Sequence, residues 1–362
     1  MAVLPSCSLQ ESLARASCRN WKSLPLNVSS QSFFQPRINA PCALGTCSTD
    51  ATLHLSSTNE RFRRSSTLCA RAVFTESANI ASSVGVPAKT PPFHVLITGS
   101  SRGIGYALAK KFLKEGDKVI ICSRSGESVN KALKSLTEEF GEQSAFGIAA
   151  DVRDGESVQK LIEFAKEKLQ YVDIWINNAG SNAYVYKPLV EMNDKVIMEI
   201  VETNTIGVMI CCREAIKMMM KQERGGHIFN MDGAGADGRP TPRFAAYGAT
   251  KRSLVQLTKS LQAELKMQQI KNVIIHMLSP GMVTTDLLMS GSDTPQAKFF
   301  INVLAEPADT VAEFLVPRVR EVSQNGSTKP TYIRFLTGIK AYSQILSRVL
   351  FNARKNRYLR ED

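Results

Sequence analysis

Residues 94–98, His-Val-Leu-Ile-Thr, make a short apolar run that ends at Gly99, and a helical pattern begins four residues later. Ile104, Leu108 and Phe112 recur at helical spacing up to Glu115, and Gly116–Asp117 break the pattern before a second apolar run at 118–122. The alternation continues along the chain. A helix over 127–140 precedes a strand at 145–150, and a helix over 155–170 precedes one at 173–177. A long helix over 193–222 leads to a strand at 226–231, and a helix over 246–267 leads to one at 272–279. Strands so short and so evenly interleaved with helices predict βαβ units, hence an α/β domain with a parallel sheet covered on both faces. No internal repeat and no second domain is visible, and the domain is expected to span 92–305.

The turn after the first strand carries the first functional signal. Thr98–Gly99–Ser100–Ser101–Arg102–Gly103–Ile104–Gly105 joins strand to helix, the position at which a doubly wound, Rossmann-type sheet binds a dinucleotide. Glycines there let the backbone turn tightly and approach a pyrophosphate, and the helix N-terminus offers unpaired N–H groups and a positive dipole end. Thr98, Gly99, Ser101, Arg102, Gly103, Ile104 and Gly105 are therefore candidate cofactor residues. A site for NAD usually places an acid at the end of the second strand to bind the ribose hydroxyls. Here Cys122–Ser123–Arg124 stands instead. Ser123 and Arg124, with Arg102, suit a 2′-phosphate, so NADPH is favoured and NADH is the alternative.

The two ends of the chain differ from its middle. Residues 1–90 are rich in Ser and hold nine Lys/Arg against four acids, the composition of an organelle transit peptide, plastid rather than mitochondrial. The expected division is a transit peptide over 1–70, cut near Cys69–Ala72, and a disordered linker over 71–91. Setting 1–90 aside lowers the formal charge from +12 to +7, with no basic run placed to track a phosphate backbone, so nucleic acid is not an expected partner. Cys122, Cys211 and Cys212 have no metal-ligand spacing, and neither a metal nor a structural disulfide is expected. No apolar run approaches the roughly 18 residues needed to cross a bilayer. The extension 306–362 is expected to carry a basic amphipathic helix: Ile339, Tyr342, Ile345, Leu346, Val349 and Leu350 share one stripe, accompanied by Lys340, Arg348, Arg354, Lys355, Arg357 and Arg360. Such a helix packs on its own domain or meets a membrane or partner.

Carbonyl reduction needs a hydride on carbon and a proton on oxygen, and a free Tyr hydroxyl, with a pKa of about 10, is a slow proton donor near neutrality. Tyr247 and Lys251, four residues apart, share one helix face. An ammonium there is expected to favour the phenolate, making Tyr247 the candidate general acid and Lys251 its electrostatic partner. With the glycine turn, Asp151–Val152, Asn177–Asn178–Ala179–Gly180, Asn204, Tyr247–Gly248–Ala249–Thr250–Lys251 and Pro280–Gly281 in this order, residues 93–290 resemble the short-chain dehydrogenase/reductase family. The resemblance implies that Asp151 and Val152 flank the adenine and that Asn178, Ala179 and Gly180 line the cofactor. It places Pro280, Gly281, Val283 and Thr285 around the nicotinamide end, Lys251 at the nicotinamide ribose, and Asn204 on a water in the proton relay.

One position departs from that family. The Ser that orients the substrate carbonyl is expected in the strand-end segment before Gly235, where counting back gives Asp232, followed by Gly233. Asp232 is carried as a candidate catalytic residue: a neutral acid donating to the carbonyl, if burial raises its pKa, or an acceptor from Tyr247 or another group. The stretches 175–184, 230–235, 238–247 and 329–357 further resemble plant chlorophyll(ide) b reductases. That likeness implies NADPH-dependent reduction of the 7-formyl group of chlorophyll(ide) b to hydroxymethyl, in the chloroplast at the stromal thylakoid surface. It also implies a larger membrane-bound homologous reductase as partner, and the wider family often forms homo-oligomers. Two alternatives stand beside it: a plastid reductase of another carbonyl, such as a ketoacyl thioester or lipid ketone, and a partner-stabilising subunit that turns over weakly or not at all. Arg239 and Arg243, in the loop before Tyr247, are candidate contacts for a substrate carboxylate or ester. Leu287, Leu288, Met289, Phe299, Phe300, Val303 and Leu304 are a candidate apolar lid, and His227 and His276 are expected to be structural.

Overall fold

The computed structural model describes residues 89–326 and 328–361, all within one compact unit. Seven strands make one sheet: β1 (His94–Thr98), β2 (Lys118–Ser123), β3 (Ala145–Ala149), β4 (Ile174–Asn177), β5 (Gly226–Met231), β6 (Val273–Ser279) and β7 (Tyr332–Arg334). Their spatial order is β3-β2-β1-β4-β5-β6-β7, every pairing parallel. Chain order reverses between β1 and β4, so a crevice opens at the strands' carboxyl ends, where ligands bind in sheets of this kind.

Both faces of the sheet are covered, which is why its central strands are apolar without alternation. On one face Val95 and Ile97 of β1 pack with α1 (Gly103–Lys114) through Leu108 and Phe112, with α2 (Gly126–Phe140) through Leu136, and with Leu315 and Val319 from further along the chain. On the other, Leu96, Trp175, Ile228 and Ile275 pack with α3 (Gly155–Leu169) through Leu161 and Ile162, and with Met219 and Leu254. Adjacent residues of β1 thus serve opposite layers, as a pleated strand requires. Helix starts follow the sequence's capping residues: Ser125 accepts from Ser128 N at α2, and Asp154 from Glu156 and Ser157 N at α3.

Three expectations are revised. The helix foreseen over 193–222 is α4 (Asp194–Val201), a π-helical turn at Glu202–Ile206, and α5 (Gly207–Met220). After α6 (Ala245–Met267), α7 (Asp286–Met289) and α8 (Pro295–Leu304), the domain does not end at 305. Helix α9 (Ala308–Gln324) packs on α1, and β7 adds a seventh strand. The linker expected to stay disordered to 91 is ordered at its end: the buried Lys89 Nζ lies 3.8 Å from Asp173 Oδ1. The expected transit peptide and the rest of that linker lie outside the described residues.

The last helix, α10 (Gly338–Phe351), turns its apolar stripe outward. Ile339, Tyr342, Leu346, Val349 and Leu350 are exposed. Three arginines expected beside that stripe point inward instead. Arg348 pairs with Glu361, while Arg354 and Arg357 both grip Glu306, at 2.6 and 2.8 Å. A buried carboxylate draws in whatever cations the chain can reach.

Candidate active site

The glycine turn is held open from one side by β4. Gly99 and Gly103 have positive φ, +62° and +59°, and a Cβ on Gly99 would stand 2.7 Å from the Ala179 Cα. Asn178 does not point outward: its amide donates to the carbonyls of Thr98 and Gly99 at 3.0 and 2.8 Å. Thr98 Oγ1 in turn accepts from the backbone N–H groups of Asn178 and Ala179. Residues 98–99 and 178–179 are thereby locked face to face. Unlike α2 and α3, α1 starts without a side-chain cap and with no acid in its first turn. Its N–H groups and dipole end are left for an anion, which fits a dinucleotide's pyrophosphate.

Around this turn the other expected cofactor residues come together in two groups. Thr285 Cγ2 would be 3.4 Å from a Cβ on Gly103, so the 280–285 segment lies against the turn. Gly281 (φ +71°) packs on Leu336, and Val283 bridges to Glu306, the residue that anchors the C-terminal tail. At the far end, Ser123 and Arg124 follow β2. Arg124 lies 3.8 Å from Glu199; against the effect of burial, the hydrogen-bonded Arg153, with a smaller contribution from Arg124, holds the Asp151 carboxyl below its usual pKa. Val152 is buried beside Gly207, at the start of α5. Arg102 bonds to the Tyr184 hydroxyl and lies 3.5 Å from Asp286.

Tyr247, Lys251 and Asn204 meet where α6 and the π turn face the ends of β4 and β5. Lys251 is buried, and its ammonium donates to the Met231 carbonyl at 3.1 Å. Burial pushes its pKa down to about 8 against the opposing pull of Asp232. In front of it the backbone is bare. A Cβ on Gly180 would lie 3.4 Å from Asn204 Oδ1 and 3.6 Å from Lys251 Nζ, so this glycine leaves the ammonium a free approach. Such an opening over a lysine with donors to spare fits a ribose.

Asn204 is fully buried with its amide spent on the protein. It donates to the Ser181 carbonyl at 2.8 Å and to Thr250 Oγ1 at 3.1 Å, and its Oδ1 accepts from Ser181 N at 2.8 Å. Thr250 Oγ1 then donates to the Tyr247 carbonyl at 2.6 Å. Asn204 therefore ties the strand-end loop to the Tyr247 turn.

Asp232 and Gly233 separate cleanly. The Tyr247 hydroxyl rests on Gly233, where a Cβ would be 2.5 Å from Tyr247 Oη and 3.1 Å from Lys251 Cγ. Asp232 is buried and accepts from the Tyr332 hydroxyl of β7. Of the two readings of Asp232, this geometry fits the acceptor role, toward Tyr332 and not Tyr247. The expected effect of Lys251 on Tyr247 is also revised. Burial first, then the Asp232 carboxylate, push the Tyr247 phenol above its ordinary value. The Tyr247 phenol is thus held protonated near neutral pH.

The sequence model described as short chain dehydrogenase matches residues 93–296. The chain belongs to the short-chain dehydrogenase family. Among its relatives, chlorophyll(ide) b reductase NOL, chloroplastic, of Oryza sativa subsp. japonica is 68% identical over 275 residues, covering 76% of this chain and 80% of that protein. The protein of the same name from Arabidopsis thaliana is 67% identical over 273 residues, covering 75% and 78%. Among solved structures, a point variant of actinorhodin polyketide ketoreductase with NADPH is 27% identical with a TM-score of 0.58, covering 68% of this chain and 97% of that one.

Within this short-chain dehydrogenase the approach to Tyr247 is aromatic. Tyr186 and Phe244 meet edge-on at 4.3 Å, Phe244 lies 6.2 Å from the Tyr247 ring, and Gly291 closes on both outer rings. Arg243 is held here, its guanidinium 4.0 Å over the Tyr186 ring and bonded to that residue's carbonyl. Arg239 is exposed and paired with Asp237. Leu287, Leu288, Met289, Phe299, Phe300 and Leu304 are half-buried, while Val303 is core. His227 and His276 form a buried pair, 3.1 Å apart between ring nitrogens. Thr250, Ser181 and Tyr332 join the site without having been singled out from sequence. Of the three, Tyr332 lies beyond the residues that the family model matches.

Proposed function

We propose that this chain is an NADPH-dependent chlorophyll(ide) b reductase, converting the 7-formyl group to 7-hydroxymethyl, with NADH the alternative cofactor. The observation that carries the substrate is the 68% identity to the rice reductase over 275 residues. The geometry supports the reaction type. The cofactor, when bound, supplies the hydride that the formyl carbon takes. Gly99–Gly105 and the α1 N-terminus would hold its pyrophosphate, Lys251 its ribose, and Pro280–Thr285 its nicotinamide end. Ser123 and Arg124 leave room and charge for a 2′-phosphate, and Asp151 and Val152 flank the adenine.

The protein's own part is to deliver a proton to the formyl oxygen. Tyr247 donates it from a phenol that burial keeps loaded, and the Lys251 ammonium steadies the phenolate that results. No side-chain hydroxyl stands at Gly233, so Tyr247 polarises the carbonyl without a second donor from that position. That missing donor also favours a second reading, a subunit that binds cofactor or pigment and supports a partner without turnover.

Purified residues 71–362 with chlorophyllide b and NADPH separate the readings. A hydroxymethyl product that falls by about 10²-fold or more in Tyr247→Phe is expected. Cofactor binding without consumption on any aldehyde supports the subunit reading instead, and turnover of other carbonyls alone moves the substrate assignment.

The location proposed is the stromal thylakoid surface. No helix of the described residues is long and apolar enough to cross a membrane, so contact would be peripheral. The outward stripe of α10, with Lys355 and Arg360 exposed just beyond it, suits an anionic lipid surface. Exposed Met198, Val201, Ile206 and Met209 along α4 to α5 suit a homologous chain, whether a second copy or a membrane-bound reductase. Vesicles with anionic lipid should sediment the chain, and Leu346→Glu with Leu350→Glu should release it; binding unchanged by both would remove α10 from the proposal.

A further inference from the structure

We propose that Tyr332 is a positioning residue of the active site, fixing the Asp232 carboxylate as a counter-charge beside Lys251 so that Tyr247 stays protonated for carbonyl reduction. This rests on the reductase reading above for the reaction, though its geometry does not.

Tyr332 opens β7, a strand of three residues that pairs with β6 through Met277, Leu278 and Ser279. Asp232 is the first residue past β5, and its N–H donates to the Leu278 carbonyl at 2.9 Å, which sets it beside the end of β6. The Tyr332 side chain reaches across β6 from the sheet's edge and donates its hydroxyl to Asp232 Oδ2. The Arg334 guanidinium lies 3.9 Å from the Tyr332 ring centroid and limits its swing.

A carboxylate 7% exposed needs donors to stay charged. The Lys251 ammonium donates to the Met231 carbonyl and acts on Asp232 through its charge. The groups facing Asp232 are Tyr332 and Arg334 from β7, Ser279 from β6, and Lys251 and Tyr247 from α6. Of these Tyr332 and Ser279 bond to the carboxylate directly, Tyr332 with the stronger effect, one residue away from Gly233, on which the Tyr247 hydroxyl rests.

The electrostatic consequence has one sign. Burial raises the Asp232 carboxyl above its ordinary value, and the hydrogen bonds from Tyr332 and Ser279 and the nearby cations hold that rise in check. Loss of the Tyr332 hydroxyl frees the carboxylate, still ionised at the alkaline limb, to turn away from Lys251 and Tyr247. Lys251 then loses a counter-charge and Tyr247 loses a neighbouring negative charge, so both release their protons at lower pH. Reduction needs the protonated phenol, so its alkaline limb moves toward acid.

The test uses the full chain and two variants. Tyr332→Phe removes the hydroxyl and keeps the ring; Asp232→Asn removes the charge and keeps an acceptor for Tyr332. The pH profile of kcat for NADPH-dependent formyl reduction is measured beside a turnover-free readout. That readout is ultraviolet phenol ionisation from about pH 9 up to the alkaline limit at which the chain stays folded, with the Tyr247→Phe titration subtracted in each background and the onset of the Tyr247 signal compared. Both variants are expected to move the alkaline limb and the Tyr247 ionisation to lower pH by about half a unit or more, about threefold in proton affinity. The KM for NADPH is expected to stay within about twofold. A Tyr332→Phe profile and titration that overlay the parent, with only the thermal midpoint lowered, would reduce Tyr332 to a structural staple and overturn the proposal. A shift in Asp232→Asn alone overturns it equally, and if Tyr332→Phe does not fold, an unshifted Asp232→Asn does so. If no formyl pigment is reduced, the reductase reading fails while the titration still decides the role of Tyr332.

Discussion

Gly233 shows how much can depend on a side chain that is not there. The Tyr247 hydroxyl occupies the space that a Cβ at this position would need, 2.5 Å away, and Lys251 Cγ crowds the same point at 3.1 Å. Gly233→Ala therefore has to push the phenol aside. Because the displaced atom is the tip of a side chain and not backbone, the fold should absorb the change. The cost falls on chemistry, where a displacement of about 1 Å can cost about 10²-fold. We expect kcat for carbonyl reduction to drop by roughly ten- to a hundredfold in Gly233→Ala with the thermal midpoint nearly unchanged. Gly233→Ser carries the same Cβ, so returning a hydroxyl to this position should not restore the rate. A midpoint lowered as much as a buried truncation would show instead that Gly233 serves the fold. Carrying the strand's alternation two residues past Met231 would have put Asp232 and Gly233 on opposite sides; counting back from Gly235 alone did not.

The element that decides the site's geometry is the π turn at Glu202–Ile206. One wider turn inside an otherwise α-helical stretch brings Asn204 inward, where its amide closes on the Ser181 backbone and on Thr250. Asn204→Ala leaves the Ser181 N–H and carbonyl buried without these partners, at a cost of about 1–3 kcal/mol for each unmet group. The expected outcome is a lower urea midpoint together with a fall in kcat, since the Tyr247 turn loses its tie through Thr250. A stability loss with kcat intact would confine Asn204 to the fold. Such a turn is hard to read beforehand, because 193–222 keeps one helical period throughout. The elements from β1 to β6 were legible because each is a short apolar run set between helical periods, with breaks as plain as Gly99 after β1 and Pro280 after β6. Those beyond 305 were not. Pro317 lies inside α9 and reads as a breaker, yet Val311, Leu315 and Val319 bury that helix against α1. Strand β7 is three residues long, too short for any period to show, and with it Tyr332 went unread. The glycine turn and the Tyr247–Lys251 pair could be read because their chemistry is local in sequence. The Asp232–Tyr332 bond spans 100 residues and depends on a sheet edge that no local pattern marks.

At the scale of the molecule, the same edge carries a pair of histidines whose state couples the sheet to pH. His227 on β5 and His276 on β6 share a hydrogen bond, His276 stacks on Phe229 at 4.5 Å, and its Nδ1 accepts from the Thr331 N–H that leads into β7. An Nδ1 that accepts leaves the proton on Nε2, which then donates to His227 Nδ1, so the chain of bonds requires both rings neutral. Burial depresses them to about 2 for His227 and about 3 for His276, from an ordinary 6.5. The sign follows: between those values and about 6.5 the unfolded chain binds protons that the folded chain does not, so stability is lost as pH falls below about 6.5. Each histidine contributes a slope of about 1.4 kcal/mol per pH unit. Asp117 runs the other way, since burial pushes its carboxyl up to about 6 and the folded state then gains protons first. A bare acid-denaturation curve therefore mixes the two, and the comparison that isolates the pair is with His227→Gln, which keeps a polar side chain and cannot ionise. Thermal midpoints measured at intervals from about pH 7 to about pH 5 should fall less steeply in the variant, and the difference between the two curves should widen steadily as pH drops. Parallel curves would mean that His227 is already charged in the folded chain. In that case the route from β5 through β6 to Thr331, and the placing of Tyr332 next to it, would have to rest on bonds other than these.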